Sequence, residues 1–205
     1  MTSFQTNDIE VYDLKNLTLT RSWKLDPLIN PYDLGYCNIN KCLYVMDMTY
    51  IEFPKKIFRV DRNGKLLNFW TTRMGYGCIS VTFDSNVVMA EYEGHTITEY
   101  KADGQIAREI TLPTKAGFAH PRYAIKLAKD RFLISFGEGD DPVHRVCEVD
   151  VIGNILMSFG GPRGSNPDRL NIPIYLAIDS SGSIIVIYRD NSRVLALTSG
   201  LKFMR

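Results

Sequence analysis

The feature of this sequence that most constrains its fold is a polar turn between two short apolar segments, which recurs along the whole chain. The clearest copies centre on Gly64, Gly104, Gly153 and Gly200, at spacings of 40, 49 and 47 residues. A weaker copy lies 48 residues before Gly64, where Asn16 takes the place of glycine, because both residue types tolerate a positive φ. Such a period predicts a repeat architecture.

A second hairpin lies between successive turns of this kind. Its turns are Asn38–Lys41, Asp84–Asn86, Ala128–Asp130 and Asp179–Gly182, and the flanking segments are strongly apolar. Each repeat therefore contains four short strands in about 40–50 residues, which is the period of a β-propeller blade. Residues 123–129 have the length of two helical turns, but Pro121 before them and their place in the repeat predict a strand. The sequence predicts an all-β protein.

The repeats divide the chain into about four and a half blades within a single domain, residues 1–205. The predicted half-blade spans residues 8–25, and the blades span about residues 26–72, 73–113, 114–161 and 162–205.

The last repeat carries the most specific motif. Its parts are Phe159-Gly160-Gly161, Pro173 before the inner strand, the hairpin 179–182 and the closing segment Asn191-Ser192-Arg193-Val194. This pattern resembles the NHL repeat. Pro31 and Pro121 stand where Pro173 stands, while the other blades otherwise keep only the two turns. The resemblance implies an NHL-type β-propeller with four-stranded antiparallel blades, usually arranged as a six-bladed ring.

The chain is short for such a ring. Six blades of about 45 residues need roughly 270 residues, whereas the chain has 205. We therefore expect an incomplete propeller, in which residues 8–13 and 17–25 form the outer pair of a blade that missing strands would complete. Open blade edges can pair with another chain, so we also expect self-association.

The chain also resembles the C-terminal NHL propellers of tripartite-motif (TRIM-NHL) proteins. It implies a non-enzymatic recognition or scaffold module that binds a protein partner, as the substrate-recognition part of a ubiquitin ligase does. The RING pattern of Cys and His that a ligase needs is missing from these 205 residues, so ligase activity would have to reside elsewhere. The alternatives are an RNA-binding domain in post-transcriptional regulation and, third, a metal-dependent propeller enzyme of the lyase or lactonase type.

One stretch of the chain favours the RNA alternative. Residues 55–73 contain six basic residues, which are Lys55, Lys56, Arg59, Arg62, Lys65 and Arg73, against the single acid Asp61. Three aromatic residues lie among them: Phe58, Phe69 and Trp70. Such a patch can contact phosphates and stack on bases. The same aromatic residues alternate along predicted strands, so a role in the core is the simpler interpretation.

The enzyme alternative has little support in the sequence. Of the three histidines His95, His120 and His144, only His120 precedes an inner strand. The acidic loop Glu138–Pro142 has oxygen ligands of the kind that Ca²⁺ prefers, but a solvated turn is the favoured interpretation. We predict no catalytic residue, no metal ligand and no cofactor.

Charge and cysteine content indicate the setting of the protein. The 24 basic and 23 acidic residues nearly cancel, so no global field attracts a polyanion or a membrane. The first residues lack the pattern of a signal peptide. The four cysteines are too scattered for a disulfide scaffold, and Cys37 and Cys42, although placed to meet across a hairpin, are expected to be free buried thiols. These observations predict a cytoplasmic protein.

The predicted binding residues lie on one face of the propeller. That face is formed by the loops entering each inner strand and the loops joining second and third strands. Arg and Tyr suit such a surface because they present large contact areas. The candidates are Lys55, Arg73, Tyr76, His120, Arg122, Arg169 and Arg189.

Overall fold

The fold consists of β-strands joined by tight turns. The computed structural model describes residues 2–3, 8–26, 30–47, 55–72, 77–114, 118–128, 130–190 and 193–204, which form eighteen strands. Within those residues no helix is long and apolar enough to span a membrane. The N-terminal sheet contains β1 (Thr2–Ser3), β2 (Asp8–Tyr12) and β3 (Leu19–Lys24).

Four further sheets follow in chain order. The first contains β4 (Pro31–Cys37), β5 (Cys42–Asp47), β6 (Lys56–Asp61) and β7 (Leu66–Thr71). The second contains β8 (Gly77–Val81), β9 (Val87–Glu91), β10 (Thr96–Tyr100) and β11 (Ile106–Thr111). The third contains β12 (Pro121–Ala128), β13 (Arg131–Phe136), β14 (Val143–Asp150) and β15 (Ile155–Pro162). The fourth contains β16 (Pro173–Ile178), β17 (Ile184–Tyr188) and β18 (Val194–Leu197), and Phe203 bridges to Leu197 at its outer edge.

Every sheet is an antiparallel meander in which neighbouring strands are consecutive in the chain. The first strands of successive sheets contact one another: β4 packs against β8, β8 against β12 and β12 against β16. This arrangement confirms the predicted all-β propeller with antiparallel blades, and β12 confirms that residues 121–128 form a strand rather than a helix. The short strand β1, which contacts β4, was not predicted.

The turn between third and fourth strands explains the glycine period. Asp61 closes it by donating its N–H to the Lys65 carbonyl at 2.9 Å, and Gly64 takes a φ of 87°. The sequence predicted a positive φ at Asn16 in the first repeat and at Gly200 in the last. The structure instead places the positive φ at the next residue in each case, Leu17 with φ of 55° and Leu201 with φ of 53°. The hydrogen bonds of the turn, rather than the residue type, decide which position becomes left-handed.

Apolar side chains fill the spaces between successive sheets. One cluster between the β4–β7 and β8–β11 sheets includes Tyr44, Trp70 and Tyr100. The Trp70 indole also lies over Gly104 of the next blade, where a Cβ would approach it to 2.7 Å. Trp23 covers Gly64 in the same way, at 2.6 Å. The turn glycines are therefore required by packing between blades as well as by φ.

Two inner strands begin with the same strained backbone. His120 and Ile172 directly precede prolines, have φ values of 52° and 51°, and accept hydrogen bonds from the N–H groups of Gly137 and Arg189 at 3.2 and 3.1 Å. Only the side chains differ, because Ile172 is buried while His120 is half-buried.

Candidate functional site

The loop between β13 and β14 is the centre of a polar site on the face predicted for binding. The Asp141 carboxylate accepts a hydrogen bond from the Glu138 N–H at 2.8 Å and lies 2.6 Å from Nδ1 of His120. A carboxylate can only accept here, so Nδ1 carries the hydrogen and Nε2 is the acceptor of the neutral ring. The loop thereby fixes the orientation of His120.

Aromatic contacts from a neighbouring blade complete the surroundings of His120. Its ring stacks on Tyr92 with centroids 4.5 Å apart and lies 6.5 Å from His95. The Arg122 guanidinium lies 5.4 Å from the Tyr92 ring centroid. Burial, reinforced by the charge of Glu138, raises the pKa of the Tyr92 hydroxyl, which therefore stays protonated at neutral pH.

Glu138 joins two arginines from different inner-strand regions. It forms an ion pair with Arg122 at 2.6 Å and a longer one with Arg189 at 3.4 Å. The Arg122 and Glu138 side chains are 15% and 19% exposed, whereas Arg189 is 53% exposed. The inner pair is therefore held with little solvent screening, and Arg189 faces solvent.

Arg163 extends the network across the loop between β15 and β16. Its guanidinium donates to the Gly139 carbonyl at 2.7 Å, to Asp140 at 3.2 Å and to the Asn171 side chain at 2.8 Å, and it lies 3.7 Å from Asp190. Asp140 itself is fully exposed. We call the set His120, Arg122, Glu138, Asp140, Asp141, Arg163, Arg189 and Asp190 the loop-face network; its four carboxylates and three guanidinium groups leave a formal charge of −1 with His120 neutral.

The structure places only some of the predicted binding residues in the loop-face network. His120, Arg122 and Arg189 meet in the loop-face network. Lys55 does not reach that surface, because its side chain is only 1% exposed, and burial lowers its pKa. Arg169 is half-buried beside Gly164 and lies outside the network. Arg73 and Tyr76 fall outside the described residues.

Sequence reasoning missed the partners of these residues. Glu138 and Asp141 belong to the acidic loop, whose favoured interpretation was a solvated turn, and Arg163 was not singled out. The loop is instead bound by three arginines and a histidine. Its position directly after a buried second strand was the available signal. In the described residues no three His, Cys, Asp or Glu side chains are grouped so as to hold a metal ion.

Two of the three aromatic residues in the basic stretch that favoured RNA binding belong to the core. Phe58 is fully buried and Trp70 is 8% exposed, so neither can stack on a base, whereas Phe69 is 47% exposed. Arg59 donates through Nε to the Cys42 sulfur at 3.4 Å. The alternation of aromatic and basic residues reflects the two faces of strands β6 and β7.

The inner strands carry a second, buried polar group. Asp33 on β4 accepts hydrogen bonds from the N–H groups of Ile79 at 2.8 Å and Leu34 at 2.9 Å. Burial raises the pKa of Asp33 to about 6, despite these two hydrogen bonds. The Tyr123 and Tyr175 rings nearby pack edge to face with centroids 5.3 Å apart. Asp33 thus links two blades at their inner strands.

These observations define a β-propeller, with a polar site on the face formed by its inter-strand loops. The fold and one curated relative support the NHL-type propeller expected from the motif in the last repeat. It is 23% identical over 211 residues to the human (Homo sapiens) NHL repeat-containing protein 3, a match that covers 88% of this chain and 60% of that protein. The chain thus spans under two thirds of this curated relative. No protein-family model matches the sequence.

Solved structures share the architecture. A chain of a nidogen/laminin complex superimposes with a TM-score of 0.69 at 16% identity, covering 97% of this chain and 77% of that one. Virginiamycin B lyase from Staphylococcus aureus superimposes with a TM-score of 0.67 at 16% identity, covering 98% of this chain and 63% of that one. At these identities the similarity establishes the fold alone.

Proposed function

We propose that this protein is a non-enzymatic recognition module that binds a protein partner through the loop-face network. The observation that carries the proposal is the set of ion pairs that joins loops of two blades around Glu138, Asp140 and Arg163. Loops held in this way lose little freedom on binding, which favours affinity. The exposed Arg189 and Asp140 supply charges for the rim of an interface.

The similarity to a chain of a nidogen/laminin complex supports the proposal, since that structure contains a protein complex. The partner should present a cationic side chain to Asp140, which is the most exposed carboxylate of the network. Charge pairs of this kind at the rim of an interface act mainly on the association rate and on its salt dependence.

Affinity capture with a matched pair of variants tests the proposal. Asp140→Lys reverses a charge on the loop face, and Asp103→Lys makes the same change in an exposed turn at the opposite end of the strands. Wild-type protein and both variants are immobilised, incubated with cytosol that has or has not been treated with nuclease, and compared by quantitative mass spectrometry. We expect proteins retained by the wild type and by Asp103→Lys to fall about tenfold with Asp140→Lys.

Equal retention by all three proteins would refute the proposed surface. Retention that disappears on nuclease treatment would instead show that RNA mediates the contact, in which case capture should weaken steeply with salt.

A second candidate function rests on the His120–Asp141 pair. An imidazole oriented by a carboxylate is a suitable general base, and another structure similar to this chain, with a TM-score of 0.64, is described as a catalytically inactive H270A virginiamycin B lyase with quinupristin. Incubation with quinupristin, followed by mass spectrometry, distinguishes the two functions. Turnover by the wild type that is lost in His120→Ala would favour an enzyme, and unchanged quinupristin would favour recognition.

A further inference from the structure

Two of the four cysteines are directly opposed across a hairpin. All four are free and buried in the structure, as expected. Cys37 ends β4, Cys42 begins β5, and the two residues are partners in the β4–β5 register. Directly opposed residues of antiparallel strands have Cα atoms about 4.5–5.5 Å apart, within the range of about 4.4–6.8 Å that a disulfide spans. A bond between these thiols needs no rearrangement of the strands.

The sulfur of Cys37 is surrounded by hydrogen-bond donors. The Asn40 N–H donates to it at 3.3 Å, and the Ser85 hydroxyl, the Ile39 N–H and the Cys42 thiol also contribute. Burial alone would raise the pKa of the Cys37 thiol, but these donors together outweigh burial and lower it. A thiolate in such surroundings is the reactive form of cysteine.

The other thiols lack this environment. Burial raises the pKa of Cys78 strongly, and it raises the pKa of Cys147 to about 12. Cys42 is distinguished differently, because the Arg59 Nε lies 3.4 Å from its sulfur and donates to it.

Both cysteines border cavities at the protein surface. Cys37 lines a surface cavity of about 440 Å³, whose rim includes the exposed side chains of Tyr36 and Phe83. Cys42 lines a separate cavity of about 300 Å³ beside Arg62. Both cavities are large enough for a molecule of the size of hydrogen peroxide, although neither cysteine is openly exposed.

We propose that Cys37 and Cys42 form a reversible, peroxide-sensitive dithiol, with Cys37 as the attacking thiol and Cys42 as the resolving thiol. The Cys37 thiolate attacks one oxygen of hydrogen peroxide, the O–O bond breaks, and the released hydroxide takes up a proton to leave as water. The Cys42 thiol then attacks the sulfur of the Cys37 sulfenic acid, the S–S bond forms, and a second water leaves with the hydroxyl group and the Cys42 proton. The two thiols are oxidised by two electrons, and the peroxide is reduced to two water molecules.

The short hairpin makes this bond a reversible modification. Four residues separate the two cysteines, so closing the loop constrains the unfolded chain little. The bond would also weaken the hydrogen bonds that the two sulfurs accept from Asn40 and Arg59, because a disulfide sulfur is a poorer acceptor than a thiolate. Cellular thiols can therefore reduce it without having to overcome a large folding free energy.

Tryptic mapping tests the proposal directly, because Lys41 lies between the two cysteines. The folded protein is treated with hydrogen peroxide, the peroxide is removed, and the protein is unfolded in urea with N-ethylmaleimide, which blocks the remaining free thiols. Trypsin then places Cys37 in peptide 25–41 and Cys42 in peptide 42–55. We expect these two peptides to be linked and to separate on reduction, while Cys78 and Cys147 carry the blocking group. Because the thiolate fraction sets the rate, Cys37 should react at least about tenfold faster than Cys147.

Variants separate the two roles. In Cys42→Ser, peroxide should leave Cys37 as a sulfenic acid that dimedone traps, whereas in Cys37→Ser the Cys42 thiol should remain reduced. Cys147→Ser serves as the matched control and should give the same linked peptides as the wild type. Recovery of both Cys37 and Cys42 as blocked thiols, or earlier oxidation of Cys78 or Cys147, would overturn the proposal.

Discussion

Replacing Lys126 by methionine should destabilise the protein severely, because it removes the counter-charge of a buried acid. The Lys126 amino group lies 2.7 Å from Glu99 and 3.0 Å from Asp84, and the Lys126 and Glu99 side chains are 5% and 3% exposed. Burial alone would lower the pKa of Lys126, but hydrogen bonds to the two carboxylates outweigh it and raise the pKa. Lys126 is therefore charged at neutral pH and neutralises Glu99.

The magnitude follows from the burial of Glu99. Removing one member of a buried ion pair costs about 3–5 kcal/mol, because the other charge is left uncompensated. With a urea m-value of about 2–3 kcal/mol/M, the midpoint of unfolding should fall by about 1–2.5 M. Adding Glu99→Gln should restore part of this stability, because it removes the uncompensated charge. The Asn86 amide, which donates to the Glu99 carboxylate at 2.7 Å, can donate to the glutamine side-chain oxygen instead.

Urea unfolding followed by circular dichroism measures both effects. Lys101→Met is the matched control, because Lys101 is exposed, and it should change the free energy of unfolding by less than about 0.5 kcal/mol. A loss below about 1 kcal/mol for Lys126→Met, or a double variant less stable than Lys126→Met alone, would refute the reasoning.

Three further predictions concern pH and backbone conformation. Because burial raises the pKa of Asp33 to about 6, the folded protein keeps a proton on Asp33 at pH values where the unfolded chain has released it. The contribution of this proton to stability is full below pH 3.8 and is lost as the pH rises through 6. Urea midpoints measured between pH 4 and 7 should show this trend for the wild type, and Asp33→Asn should remove it. Burial lowers the pKa of His144, so stability should decrease as the pH falls below 6.5, and an NMR titration of His144 with a midpoint above 6.5 would contradict this. Gly137→Ala should cost at least about 1 kcal/mol, because φ is 111° and the new Cβ would meet the His144 ring; an unchanged melting temperature would disprove it.

The sequence predicts the strands well because their signals are local. Apolar runs next to turn residues locate β5, β9, β13 and β17. Recurring Gly or Asn residues between apolar segments locate the turns between third and fourth strands. The short strand β1 has no such signal, since pairing with Ile9 and Asp8 alone defines it. Likewise, the left-handed residue of the last turn is Leu201 rather than Gly200, because the hydrogen bond from its N–H to Thr198 fixes the turn.

The site was less predictable because its partners are distant in the chain. Glu138 pairs with Arg189, 51 residues later, and no local pattern reports that contact. Lys55 has the composition of a surface residue, yet it is buried next to a strand that carries Asp47, whose charge acts on it. The cytoplasmic location, the ubiquitin-ligase context and the incomplete ring remain predictions.

The matching backbone at His120 and Ile172 has a consequence for how such a protein can diversify. In each case the backbone is fixed by the hydrogen bond that the residue's carbonyl accepts and by the proline that follows it. Neither interaction, nor the positive φ itself, involves the side chain. The side chain can therefore be exchanged while its point of attachment stays fixed. In one blade the position places an isoleucine in the core, and in another it places a half-buried imidazole on the loop face. A library that varies this one position in these two blades would alter the chemistry of the surface without redesigning either loop.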